Sequence, residues 1–133
     1  MKASVYHVQL NVADAAVSIP FYRELLGYFE YRVLMGAAGL LGMSNGTTDF
    51  WIMQTPPDRS AAAFHRKNPG LNHVAFRVTT RADVDRFNDD FLGPSGIARL
   101  YGGPRGYPEY RPGYYAVFFE DPDRLKLEVA HIP

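Results

Sequence analysis

Two stretches of the chain alternate apolar and polar residues with a period of two: Val5-Tyr6-His7-Val8-Gln9-Leu10-Asn11-Val12 and Leu71-Asn72-His73-Val74-Ala75-Phe76-Arg77-Val78. Alternation of this kind over β-branched residues predicts half-buried strands. His7, Gln9 and Asn11 then share one face of the first strand, opposite Val8, Leu10 and Val12. His73 takes the more polar face of the second, opposite Val74, Phe76 and Val78. A helix is predicted after each strand. Asp14 is a candidate N-cap for a helix over Ala15 to Leu26, with Gly27 as its stop and Pro20 expected either to kink it or to restrict its regular part to later residues. Thr80 is the matching N-cap for a helix from about Arg81 to Leu92, in which Val84, Phe87 and Phe91 recur at helical spacing. Three short strands complete each half. They are expected at about Tyr28 to Leu34, Gly39 to Met43 and Asp49 to Gln54, and then at about Ala98 to Tyr101, Tyr114 to Glu120 and Leu125 to Ala130. Ser44-Asn45-Gly46 and Asp121-Pro122-Asp123 supply turn signals. Pro56 to Gly70 joins the halves, and Gly102 to Gly113 reads as a loop able to act as a mobile lid.

The two patterns are one pattern repeated. At an offset of 66, His73 falls on His7, Val74 on Val8, Val78 on Val12, Phe87 on Phe21, Leu92 on Leu26 and Gly93 on Gly27. Six coincidences at one offset indicate an internal duplication. The expected organisation is a single domain over 1–133, built from a first βαβββ module at 1–57 and a second at 70–133. The fold class is α+β.

Composition narrows the function. The 133 residues suit one compact domain, and 47% hydrophobic residues with nine Phe and nine Tyr allow a sizeable core. Fourteen basic residues balance fourteen acidic ones, which argues against a nucleic-acid or membrane-surface binder. There is no cysteine, so disulfides, thiolate metal sites and cysteine nucleophiles are excluded. The N-terminus lacks an apolar signal segment and no apolar run reaches about 18 residues, so a cytoplasmic location is expected.

Strand parity then collects candidate chemistry. His7 and His73 occupy equivalent positions, and Glu128 alternates with Leu127 and Val129 on the last strand. Two imidazoles and a carboxylate are a donor set for one divalent ion such as Fe2+, Mn2+, Zn2+ or Ni2+. A strand histidine is ordinarily structural and a Glu near a C-terminus ordinarily solvated; the repeat relation between His7 and His73 is what favours ligation. Gln9, Asn11, Trp51 and Arg77 are candidate substrate contacts by parity, and Tyr107, Tyr110, Tyr114 and Tyr115 are placed to close over an aromatic or hydrophobic ligand.

The repeat, the two His-led strands, Phe21-Tyr22-Arg23-Glu24-Leu25-Leu26-Gly27, and Phe119-Glu120-Asp121-Pro122-Asp123 through Glu128 together resemble the vicinal-oxygen-chelate superfamily. That superfamily groups glyoxalase I, bleomycin-resistance proteins, fosfomycin-resistance enzymes and extradiol dioxygenases. The resemblance implies a glyoxalase/dioxygenase-like fold, with two βαβββ modules whose curved mixed sheets form a cleft, often in a module-swapped homodimer. It matches His7, His73 and Glu128 to three metal-ligand positions. The fourth, a glutamate in glyoxalase I, matches Met53, or Gln54 if the register slips by one, and Met53 is therefore a further candidate substrate contact. Arg124 stands where a Gly commonly follows Asp-Pro-Asp. Tyr114 and Tyr115 lie near the position of the dioxygenases' catalytic tyrosine. The activity implied is metal-dependent lyase, isomerase or ring-cleaving dioxygenase chemistry on a small substrate with neighbouring oxygens. The alternative is a metal-free drug- or metabolite-binding protein of the bleomycin-resistance kind.

Overall fold

A computed structural model describes residues 1–133, which divide into two compact units, Met1–Ala63 and Phe64–Pro133. In the first, strand β1 (His7–Val12) leads into helix α1 (Ala15–Tyr28), followed by β2 (Arg32–Ala37), β3 (Leu40–Ser44) and β4 (Asp49–Gln54). In the second, β5 (His73–Val78) leads into α2 (Arg81–Phe87), followed by β6 (Arg99–Gly106), β7 (Tyr115–Glu120) and β8 (Lys126–His131). Each unit is therefore βαβββ. Its four strands form one mixed sheet, ordered β1-β4-β3-β2 and β5-β8-β7-β6. The first and last strands of each unit pair in parallel, and the other pairs are antiparallel.

The alternation read from sequence decides which face the helix covers. In unit 1, Leu10, Val12, Phe50, Ile52, Leu41 and Met43 are buried with Tyr22, Leu25 and Leu26 of α1. In unit 2, Phe76, Leu127, Val129, Val117 and Phe119 are buried with Val84, Phe87, Phe91 and Leu92. Large apolar side chains of this kind each gain about 1.5–3 kcal/mol on burial, so helix-to-sheet packing is the main source of order in each unit.

The helix starts follow the predicted caps. Asp14 accepts the N–H of Ala16 at 2.9 Å. Thr80 forms a reciprocal capping box with Asp83. The helix ends do not. Gly27 lies inside α1, as does Pro20, and the chain leaves the helix at Glu30, with φ of 64°. There Tyr31 N–H donates to the Leu26 carbonyl at 2.9 Å and Glu30 N–H to Gly27 at 3.0 Å, the pair of bonds that closes a helix through one left-handed residue. The extra turn moves β2 later than expected. In unit 2, α2 passes into a π-helical turn over Asn88–Leu92, and Gly96 (φ 66°) closes it in the same way.

The expected long loop at 102–113 is largely structured. β6 continues to Gly106, with an irregularity between Leu100 and Arg105. The remaining turn is tied by Tyr107 N–H to the Tyr114 carbonyl at 2.9 Å and by Arg111 to the Pro133 carbonyl at 3.1 Å.

Candidate functional site

On the face of the unit 2 sheet that α2 leaves uncovered, β-register aligns Ala75, Glu128 and Phe118 across three strands, with Arg77, Ala130 and Ala116 in the next row. Tyr107, Ala116, Phe118 and Ala130 form a buried cluster there, flanked by Leu100, Tyr114 and Ile132. Glu128 emerges within this apolar surface and is only 2% exposed. A buried carboxylate needs compensation, and two groups face Glu128. Tyr114 donates its hydroxyl to Oε1 at 2.5 Å, and Nε2 of His73 stands 3.4 Å from Oε2.

The other ring nitrogen of His73, Nδ1, is 2.8 Å from Oδ1 of Asn72. The amide nitrogen of Asn72 donates to the Arg66 carbonyl at 3.0 Å, so its oxygen faces the imidazole and Nδ1 must carry the proton. In the neutral ring the lone pair of Nε2 then faces a carboxylate oxygen across 3.4 Å, an opposition that a cation between them would relieve. Two donors each about 2.1 Å from an ion stand roughly 3.0–3.4 Å apart at octahedral or tetrahedral angles. The spacing of these two donors is one that a divalent metal would accept.

The face extends through aromatic rings. Tyr107 stacks on Tyr110 with centroids 5.4 Å apart and meets Phe118 edge-on at 5.3 Å. The Arg105 guanidinium lies 4.5 Å from the Tyr107 ring centroid, and Lys126 Nζ lies 5.5 Å from that of Phe118. The Tyr107 hydroxyl is buried. Burial first, then the bond to Glu128 and its charge, raises the Tyr114 phenol above its ordinary value.

Unit 1 presents the equivalent face with different chemistry. His7 aligns with Asp49, Gln9 with Trp51 and Asn11 with Met53. His7, Gln9 and Asn11 are exposed and Trp51 and Met53 partly so. His7 aligns with the first residue of β4 just as His73 aligns with Lys126, the first of β8. Glu128 therefore corresponds to Trp51, and neither Met53 nor Gln54 holds that position. Gln54 points to the helix side, where its amide accepts the Ala15 N–H at 2.8 Å and donates to the Ala13 carbonyl at 2.9 Å. No three His, Asp or Glu side chains of the chain gather into a group that could hold an ion; unit 2 supplies His73 and Glu128, and His7 belongs to unit 1.

The model of the Glyoxalase/Bleomycin resistance protein/Dioxygenase superfamily matches residues 4–129. The chain belongs to this superfamily. It is 32% identical to the uncharacterized protein YqjT of Bacillus subtilis (strain 168) over 94% of this chain and 96% of the relative. Among solved structures, a candidate glyoxalase from Bacillus halodurans superposes with a TM-score of 0.83 at 34% identity, covering 96% of this chain and 95% of that one. The lactoylglutathione lyase of Agrobacterium tumefaciens shares the fold, with a TM-score of 0.71 at 21% identity over 98% and 94% of the two chains.

Within the superfamily frame, two sequence candidates part from the site. Tyr115 points to the helix side and donates to Asp85 Oδ1 at 2.8 Å. Arg77 shares the Glu128 side, but its guanidinium donates to the Ile132 carbonyl at 2.6 Å, a bond that ties down the end of the chain. Asn72 is a further contact of the site, and its one signal in the sequence is its place directly before a strand histidine.

Proposed function

We propose that this chain is a divalent-metal-dependent enzyme of the glyoxalase/dioxygenase type, chelating neighbouring oxygens of a small organic substrate through an ion held by His7, His73 and Glu128. The reading is carried by one observation, the buried Glu128 carboxylate facing the lone pair of His73 Nε2 across 3.4 Å. His7, from its own chain or from a second copy in a homodimer, completes the donor set. Support for a homodimer comes from β2, an edge strand exposed along its length with Val33, Leu34 and Met35 uncovered.

When bound, the ion supplies Lewis-acid stabilisation of negative charge on a substrate oxygen. The residues of the chain provide the rest. Tyr114 donates its hydroxyl to Glu128 Oε1, leaving Oε2 for ligation. The buried rings of Tyr107 and Phe118 exclude water from one side, which strengthens every electrostatic contact there, and Tyr110 stacks on Tyr107 as a further substrate contact. Gln9, Asn11, Trp51 and Met53 line the unit 1 face as substrate contacts.

Anaerobic loading with Fe2+, Mn2+, Zn2+ or Ni2+ followed by dialysis and metal analysis tests the reading. One ion per chain is expected, lost in His7→Ala, His73→Ala and Glu128→Ala. Absence of stoichiometric metal in every arm overturns it, and the aromatic face then stands as a metal-free binding surface.

A further inference from the structure

The segment that joins the units makes contacts that the metal reading does not use. Arg66 forms a short ion pair through Nη1 with Oε1 of Glu120 at the end of β7. Its backbone carbonyl accepts from Asn72 Nδ2 at 3.0 Å, and Asn72 Oδ1 lies 2.8 Å from His73 Nδ1. A continuous chain of polar contacts therefore runs from the far end of β7 to the imidazole that faces Glu128. The equivalent position in unit 1 differs: Tyr6 precedes His7 and meets it only by a ring edge, with centroids 5.8 Å apart. The device belongs to one half of the duplication.

We propose that Asn72 is a positioning residue that sets the tautomer of His73, and that Arg66, clamped by Glu120, holds Asn72 in the orientation this requires. An amide is ambiguous by itself, since either end can face the ring. The Arg66 carbonyl accepts only, so it claims the NH2 and turns the oxygen toward Nδ1. The imidazole then has one choice, Nδ1–H with Nε2 free. Partners of this kind orient metal-bound histidines and are commonly worth 10–100-fold in metal affinity. The purpose assigned to the tautomer rests on His73 being a ligand; the tautomer itself does not.

The test has two arms. In the metal-free protein at alkaline pH, side-chain 15N shifts of His73 should show the Nδ1–H form. Asn72→Leu, which matches the size but offers no acceptor, should shift the ring toward the other tautomer, and Asn72→Asp, which keeps an acceptor, should restore it. An unchanged tautomer in Asn72→Leu overturns the proposal. In the second arm, zinc affinity measured against a competing chelator should fall about tenfold or more in Asn72→Leu, by less in Arg66→Ala, and stay near wild type in Asn72→Asp. Equal affinity in wild type and Asn72→Leu also overturns it while leaving the metal reading intact. If the wild type binds no zinc, the affinity arm uses whichever of Fe2+, Mn2+ or Ni2+ it binds; if it binds none of the four, the metal reading falls and the 15N arm alone decides. Asn72 is exposed, so these substitutions leave the core untouched.

Discussion

The six-membered ring of Trp51 occupies the space in which a side chain at Gly42 would begin. A Cβ built on Gly42 stands 2.5 Å from Cζ3 of Trp51 and 2.7 Å from Cε3, and the two residues are register partners on β3 and β4. Gly42→Ala should therefore displace the indole and destabilise unit 1 by about 1–3 kcal/mol, the usual cost of overpacking. Trp51 is the single tryptophan, so a shift in its emission maximum together with a lower urea midpoint checks the outcome. Unchanged emission would show that the ring is not where the contact puts it.

Tyr114→Phe removes the hydroxyl that serves Glu128 Oε1 and leaves a buried carboxylate oxygen without its donor. Hydrogen bonds to charged groups contribute about 1.5–3 kcal/mol, so a loss of that order is expected in denaturant unfolding of the metal-free protein. A neutral effect would mean that water replaces the phenol.

The start of α2 carries a pH signature. Asp83 is held below its ordinary carboxylate value of 3.8, first by the Thr80 hydroxyl and next by the Thr80 backbone N–H, against an opposing effect of burial, with lesser help from the charges of Arg86 and His131. A depressed carboxylate gives stability that is present above its unfolded value and lost as pH falls through the folded one. The contribution should accordingly disappear as the solution is acidified below pH 3.8. Thr80→Ala should raise the Asp83 titration midpoint toward the ordinary value, read from its side-chain carboxyl 13C shift. No upward movement would exclude the capping box as the cause.

Glu30 and Gly96 close the two helices with the same left-handed turn, φ 64° and 66°, and lie 66 residues apart in the chain. A side chain in that conformation costs about 1–2 kcal/mol, partly offset by the greater freedom glycine loses on folding. Glu30→Gly should gain about 1 kcal/mol, a rise of roughly 4 °C in midpoint for a chain of this size. A lower midpoint in calorimetry would assign Glu30 a stabilising contact.

The sequence pattern exposed what depends on alternation and local caps: the eight strands, the starts of both helices at Asp14 and Thr80, and the equivalence of His7 with His73. Features set by tertiary register stayed hidden. Trp51 could not be matched to Glu128 because the offset of 66 at β1 and β5 grows to 77 at β4 and β8, where the β6 insertion lengthens the second half. Gly27 looked like a helix stop, yet the αL position falls three residues later on Glu30, whose identity gives no warning. Arg124 likewise keeps a left-handed φ of 67° where glycine is customary, so the Asp121 turn survives, its Oδ1 still accepting the N–H groups of Asp123 and Leu125 at 2.9 and 2.8 Å.

The parallel pairing of β5 with β8 has a kinetic corollary. His73 and Glu128 are 55 residues apart in the chain, and they become neighbours only when the outermost strand docks beside the C-terminal one. Contacts of such long sequence separation form slowly, because chain entropy is lost before they reward it. An ion gripped by that pair would act as a latch on a late-closing seam. It would prolong the lifetime of the finished unit and leave the pace of its assembly nearly unaltered.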